Sequence, residues 1–291
     1  MNKVKFVFFG SSKFSCIILD ELKAAGFLPS LVVAVKDKPK GRKLLITPPD
    51  TKVWANANGI PCLQPEKLND SDFQKRLLEE AADGANLFIV ASYGKIIPRA
   101  VLDIPKYGTL NVHPSLLPKL RGATPIQSAI LTENETGVSI MLLDEEMDHG
   151  PILGQEKTDF TGENTGWPPY ADILEEMLAK MGGQLLVKTI PGWIEGKIKA
   201  VAQNHEAATY TKKITKEDGL IDLADNAEEN LKKIRAYAGW PSAYFFSEKN
   251  GTKIRVAIKK ATIEDGNLKL IRVIPESKKE MPYEDFLRGI K

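Results

Sequence analysis

The chain has 291 residues, 43% apolar and 27% charged, with 40 Lys and Arg against 38 Asp and Glu, which excludes disordered and fibrous classes and gives volume for about two domains. Its longest apolar runs, at 6–9 and 87–91, fall far short of the roughly 18 residues of a membrane span, and with no secretory leader evident a cytoplasmic, membrane-free protein is expected. Cys16 and Cys62, with His113, His149 and His205, show no metal-ligand spacing, so neither a disulfide framework nor a metal site is expected.

Residues 4–9 are a continuous β-branched and aromatic run, the pattern of a strand buried on both faces. Gly10 turns the chain, Ser12 is a candidate helix cap, and the apolar face of 14–22 predicts a helix ending at Gly26. Strand, helix, strand then recurs: strands at 31–35, 60–63 and 86–91, helices at 52–58 and 71–82. Such alternation implies a Rossmann-like, mostly parallel open α/β sheet. Further strands follow at 109–112 and 137–143, parted by a helix at 124–131, and a long helix with a glycine pair covers 170–190. Residues 197–211 have no period and read as a linker. A helix at 227–237 and strands at 243–246, 253–259 and 267–274, parted by Asn250-Gly251 and Asp265-Gly266, predict a small β-barrel (OB-like) second domain.

The near-neutral sum hides local charge. Residues 36–43 carry five basic side chains and one acid, and residues 205–291 carry 17 Lys and Arg against 14 Asp and Glu. From composition alone a basic run of this kind is a solvated loop. The first turn lacks the glycines of a dinucleotide fold, and no phosphate loop or serine-nucleophile elbow is present.

Chemistry concentrates at 111–118, Asn-Val-His-Pro-Ser-Leu-Leu-Pro. Asn111 and His113, two apart at a strand's end, project to one side, which suits an amide to polarise a carbonyl and an imidazole to handle a proton. An ordinary hydrogen-bonded histidine accounts for the spacing equally well. Asp144, Glu145, Glu146 and Asp148 compete to be the acid that orients His113; Asp148 lies just past a strand that should end beside it.

The run 111–130 together with Asp148-His-Gly150 resembles the 10-formyltetrahydrofolate-dependent formyltransferases, whose signature is N-x-H-x-S-L-L-P-x-x-R-G with a later D-x-G; 92–98 resembles that family's loop beside the pterin. The basic stretch 36–49 and the segments 210–222, 234–241 and 281–289 resemble the members that act on methionyl initiator tRNA, so the likeness covers essentially the whole chain. The resemblance implies a catalytic domain at 1–190, a linker at 191–206 and a tRNA-binding β-barrel at 207–291. It implies Asn111, His113 and Asp148 as the catalytic set. Folate would meet Ser115, Leu116, Leu117, Pro118, Tyr93, Gly94, Ile96 and Leu143, and tRNA would meet Arg42 first, supported by Lys38, Lys40 and Lys43. The implied partners of a monomeric, metal-free enzyme are 10-formyltetrahydrofolate and methionyl initiator tRNA. Sugar-nucleotide formyltransferases, formyltetrahydrofolate hydrolases, purine-pathway transformylases and a non-catalytic RNA-binding protein on the same scaffold stay open as alternatives.

Overall fold

A computed structural model describes residues 4–41, 44–158, 167–249 and 251–290. The chain divides into two compact units that interleave in sequence, the first drawn from 1–122, 136–158 and 176–210, the second from 123–135, 159–175 and 211–291.

In the first unit, β1 (Val7–Gly10) and β2 (Leu31–Val33) begin a seven-stranded sheet. A separate hairpin, β3 (Lys38–Lys40) with β4 (Leu45–Thr47), stands in the basic stretch. The sheet continues with β5 (Cys62–Leu63), β6 (Phe88–Ala91), β7 (Thr109–His113), β8 (Gly137–Leu142) and β9 (Ile152–Lys157), in the order β5-β2-β1-β6-β7-β8-β9. The first five strands in that order are parallel, as the strand–helix alternation predicts; β8 runs antiparallel to β7, and β9 antiparallel to β8.

Helices α1 (Lys13–Ala24), α2 (Asp50–Ala57), α3 (Ser71–Ala82) and α4 (Arg99–Leu102) connect the parallel strands. The α3 bounds match the sequence reading because Asp70 caps the helix, accepting from the Phe73 N–H at 3.0 Å. One sheet face buries Val7, Phe9, Phe88 and Val90 against Phe73 and Leu77 of α3 and Val101 and Leu102 of α4. Asn111 and His113 extend that face, since Asn111 pairs in register with Val90 and with Met141, and His113 with Ser139.

The long helix, α6 (Ala171–Ile194), contributes to both units. Its glycine pair has a packing reason: a Cβ on Gly182 would stand 2.5 Å from Val112 Cγ1, and one on Gly183 would stand 2.5 Å from Glu21 Cβ of α1. The helix therefore lies closer to β7 and α1 than any side chain permits.

The second unit holds α5 (Pro125–Thr132), α7 (Ala227–Ala236), β10 (Tyr244–Lys249), β11 (Thr252–Glu264), β12 (Asn267–Pro275), β13 (Met281–Pro282) and α8 (Tyr283–Ile290). Its strands form an antiparallel sheet in the order β10-β11-β12-β13, and among the described residues no ladder joins β10 to β13. Leu231 and Ile234 of α7 and Phe286 of α8 bury against Phe245, Val256, Ile258 and Val273. No described helix is long and apolar enough to cross a membrane.

Candidate active site

Asn111 and His113 are both buried, at 9% and 4% exposure, on the same face of β7 as their spacing predicts. His113 Nε2 lies 3.0 Å from the Leu120 carbonyl oxygen. A carbonyl oxygen only accepts, so Nε2 carries the hydrogen and Nδ1 is left to exchange a proton. That nitrogen stands 3.5 Å from Asp148 Oδ1, and the other Asp148 oxygen accepts from the Gly122 N–H at 2.8 Å. Asp148 is thus the acid that meets His113. Asp144 is taken up by His149 Nδ1 at 2.7 Å, while Glu145 and Glu146 are exposed.

The way Asp148 arrives differs from the sequence expectation. Because β8 is antiparallel to β7, it ends with Leu142 opposite Leu110, at the far end of β7 from His113. The loop after β8 has to double back to bring the carboxylate to the imidazole. Two backbone features make that return possible. Asp148 takes the left-handed conformation at φ 51°, a placement that costs an L residue about 1–2 kcal/mol. At Gly150 a Cβ would fall 1.9 Å from the Leu142 carbonyl oxygen, so only glycine passes there.

The Asn111 side chain makes no hydrogen bond among the described residues, although it is buried. Neither amide atom is among the fully buried ones that lack a partner, so the side chain reaches solvent on the face that holds His113 and is open to donate to a ligand. No three His, Cys, Asp or Glu side chains gather to hold a metal ion among the described residues.

The remaining sequence-named residues fall in several settings. Ser115 and Leu117 are buried: the Ser115 hydroxyl donates to the Lys119 carbonyl at 2.6 Å, and Ser139 ties the segment by donating to the Ser115 carbonyl and accepting from the Leu117 N–H. Leu116 and Pro118 are half-buried. Tyr93 points inward and packs edge-on to Phe9; among the described residues its buried hydroxyl has no partner, and burial pushes its pKa up to about 12. Gly94 bends the loop at φ 79°, and beyond it Ile96 is 89% exposed. Leu143 packs against the same core as Tyr93, its N–H donating to the Thr109 carbonyl. Lys38 and Lys40 are exposed on β3, whereas Arg42 and Lys43 lie outside the described residues.

Sequence reading missed a second layer. Residues 197–211 are anchored rather than free: Val201 bridges to Ile152, Thr209 bonds Leu120 and Arg121, and Gln203 is 6% exposed. Arg121, 1% exposed, donates from Nε and Nη2 to Gln203 Oε1, from Nη2 to His205 Nδ1 at 2.9 Å, and from Nη1 to the Tyr210 hydroxyl. Its partners are neutral groups. Irregular backbone leaves no periodicity to read, so the only signal for Arg121 was its place in the R-G pair.

A doubly wound sheet that brings an open amide, an imidazole of fixed tautomer and a carboxylate together is the frame of an α/β enzyme, and such a set can polarise a carbonyl while a proton moves. Residues 2–190 match the family model for formyl transferase and 213–267 that for the formyl transferase C-terminal domain, and the chain belongs to this family. It is 44% identical over 246 residues to a methionyl-tRNA formyltransferase of Chloroflexus aggregans, covering 84% of this chain and 76% of that one. To one from a Geobacillus species it is 38% identical over 308 residues, covering 98% and 94%. A sugar N-formyltransferase from a Shewanella species shares the fold with a TM-score of 0.64 over 90% of this chain, at 16% identity.

Proposed function

We propose that this chain transfers a formyl group from 10-formyltetrahydrofolate to the α-amino group of methionyl initiator tRNA. The observation that carries the reading is the unengaged, solvent-reaching Asn111 amide on the strand face that holds His113 with its Asp148 partner, in a chain of the formyl transferase family. Identity to methionyl-tRNA formyltransferases across almost the whole chain supports the acceptor, because the fold is shared with a sugar N-formyltransferase and does not choose between them.

The folate supplies an activated formyl carbon, and the work of the chain is to bind, polarise and move protons. Asn111 Nδ2–H is the donor for the formyl oxygen; a preorganised donor of this kind contributes on the order of 3 kcal/mol. The attacking ammonium loses two protons, one to become a nucleophilic amine and one as the amide forms; the leaving nitrogen gains one and the other passes to solvent, so the protein ends as it began. His113 Nδ1 with Asp148 is the relay, because Nε2 is held by Leu120. Their 3.5 Å separation is longer than a hydrogen bond, a gap of the kind that tightens once substrate is bound.

For the donor, Ile96 and Leu116 offer side chains, Gly94 and Pro118 shape the loops, and Ser115, Leu117, Tyr93 and Leu143 set the backbone from within. The exposed Lys38 and Lys40, with Arg42 and Lys43, suit phosphates of an acceptor stem. The test is formyl transfer with methionyl initiator tRNA, uncharged tRNA and a nucleotide amino-sugar as acceptors. Turnover with the first alone is expected; a preference for the sugar would overturn the reading.

A further inference from the structure

Within the segment 197–211, Gln203 is the side chain that hydrogen-bonds the Asp148 turn, and the reading of Asp148 as catalytic makes that contact consequential. Gln203 Nε2 donates to the carbonyl oxygens of Asp148, at 2.9 Å, and Gly150, at 2.7 Å, the first on the left-handed residue itself and the second two positions on. Its Oε1 accepts from Arg121 Nε at 3.2 Å and Nη2 at 2.7 Å. A guanidinium only donates and a carbonyl only accepts, so both ends of the amide agree on one orientation. Arg121 is itself fixed on its far side by His205 and Tyr210.

We infer that Gln203 is a positioning residue for the reaction, pinning the turn so that the Asp148 carboxylate meets His113, with Arg121 setting the amide's direction. The inference rests on the reading of Asp148 given above. It separates two roles the amide plays at once: satisfying the buried Arg121, and donating to the turn. Gln203→Glu keeps the first and removes the second, because a carboxylate still accepts from the guanidinium but faces two carbonyl oxygens with no hydrogen to give.

The experiment compares wild type, Gln203→Glu, Gln203→Asn and Asp148→Asn for melting temperature, kcat and the KM of folate and tRNA. Gln203→Glu is expected to melt within a few degrees of wild type, keep both KM values within about threefold, and lose kcat by about 10- to 100-fold, the cost of a displacement near 1 Å. Gln203→Asn sets the amide one methylene back and should show the same loss confined to kcat, which keeps the test open if Gln203→Glu does not fold. Full turnover in either folded variant, or a loss shared equally between kcat and stability, overturns the assignment. Near-normal turnover of Asp148→Asn overturns the reading beneath it; an inactive Asp148→Asn beside a full-rate Gln203→Glu overturns the role of Gln203 alone.

Discussion

Replacing Gly182 by alanine probes how far the site depends on the helix behind it. The added Cβ would stand 2.5 Å from Val112 Cγ1 and 3.3 Å from Val138 Cγ2. Relaxed carbon contacts lie at about 3.5–4.0 Å, so helix and strand must part by about 1 Å. Overpacking of this kind costs about 1–3 kcal/mol, against which the better helix propensity of alanine returns about 1 kcal/mol. Val112 lies between Asn111 and His113 on β7, so the strain falls on the strand that carries both groups. Turnover should drop by about 10- to 100-fold while stability falls by no more than about 2 kcal/mol. Urea unfolding and formyl-transfer kinetics measure the two effects. Val112→Ala in the same chain removes the clashing methyl, so the double variant should recover both, with a favourable coupling of about 1–2 kcal/mol. Purely additive effects, or an unaltered rate in Gly182→Ala, would refute the argument.

Three further outcomes follow from other parts of the molecule. Gly150→Ala, whose Cβ would meet the Leu142 carbonyl at 1.9 Å, should cut kcat by about 100-fold or more; full kcat would deny that the turn positions Asp148. Burial, helped by the neighbouring Asp50 and Asp20, pushes the Cys16 thiol up to about 12. Folding thus favours its protonated form, so its contribution is complete below the free-thiol range near pH 9 and is lost as pH rises toward about 12. Urea midpoints of wild type should fall more steeply than those of Cys16→Ala across that window, and parallel curves would count against it. Lys38→Ala with Lys40→Ala should leave stability unchanged and lower the salt dependence of tRNA affinity by roughly 1.5, at about 0.7–0.9 per phosphate contact. An unaltered slope would remove both lysines from the interface.

Legibility in the sequence tracked the source of the order. The strand expected at 4–9 and found at Val7–Gly10, the helix at 71–82 and the pair Asn111 and His113 were readable because burial on both faces, a cap and two-residue periodicity leave local marks. The antiparallel direction of β8 was not, since a strand's direction is fixed by its connection and not by its own residues; the expected meeting of Asp148 with His113 is real, yet it comes through a returning loop. The β3–β4 hairpin and α8 also escaped, the first because charge masks its short alternation and the second because its eight residues follow a proline and begin without a cap residue. Gln203 and Arg121 were invisible for a different reason. Their importance lies in hydrogen bonds across 82 positions of sequence, which no local pattern encodes.

The most direct test is single-turnover formyl transfer from 10-formyltetrahydrofolate to methionyl initiator tRNA by wild type and by Asn111→Ala, His113→Ala and Asp148→Ala, each verified as folded. The account predicts transfer by wild type and a fall of about 100-fold or more in the rate constant for each variant, with tRNA affinity retained. A folded His113→Ala that transfers formyl at close to the wild-type rate would contradict it.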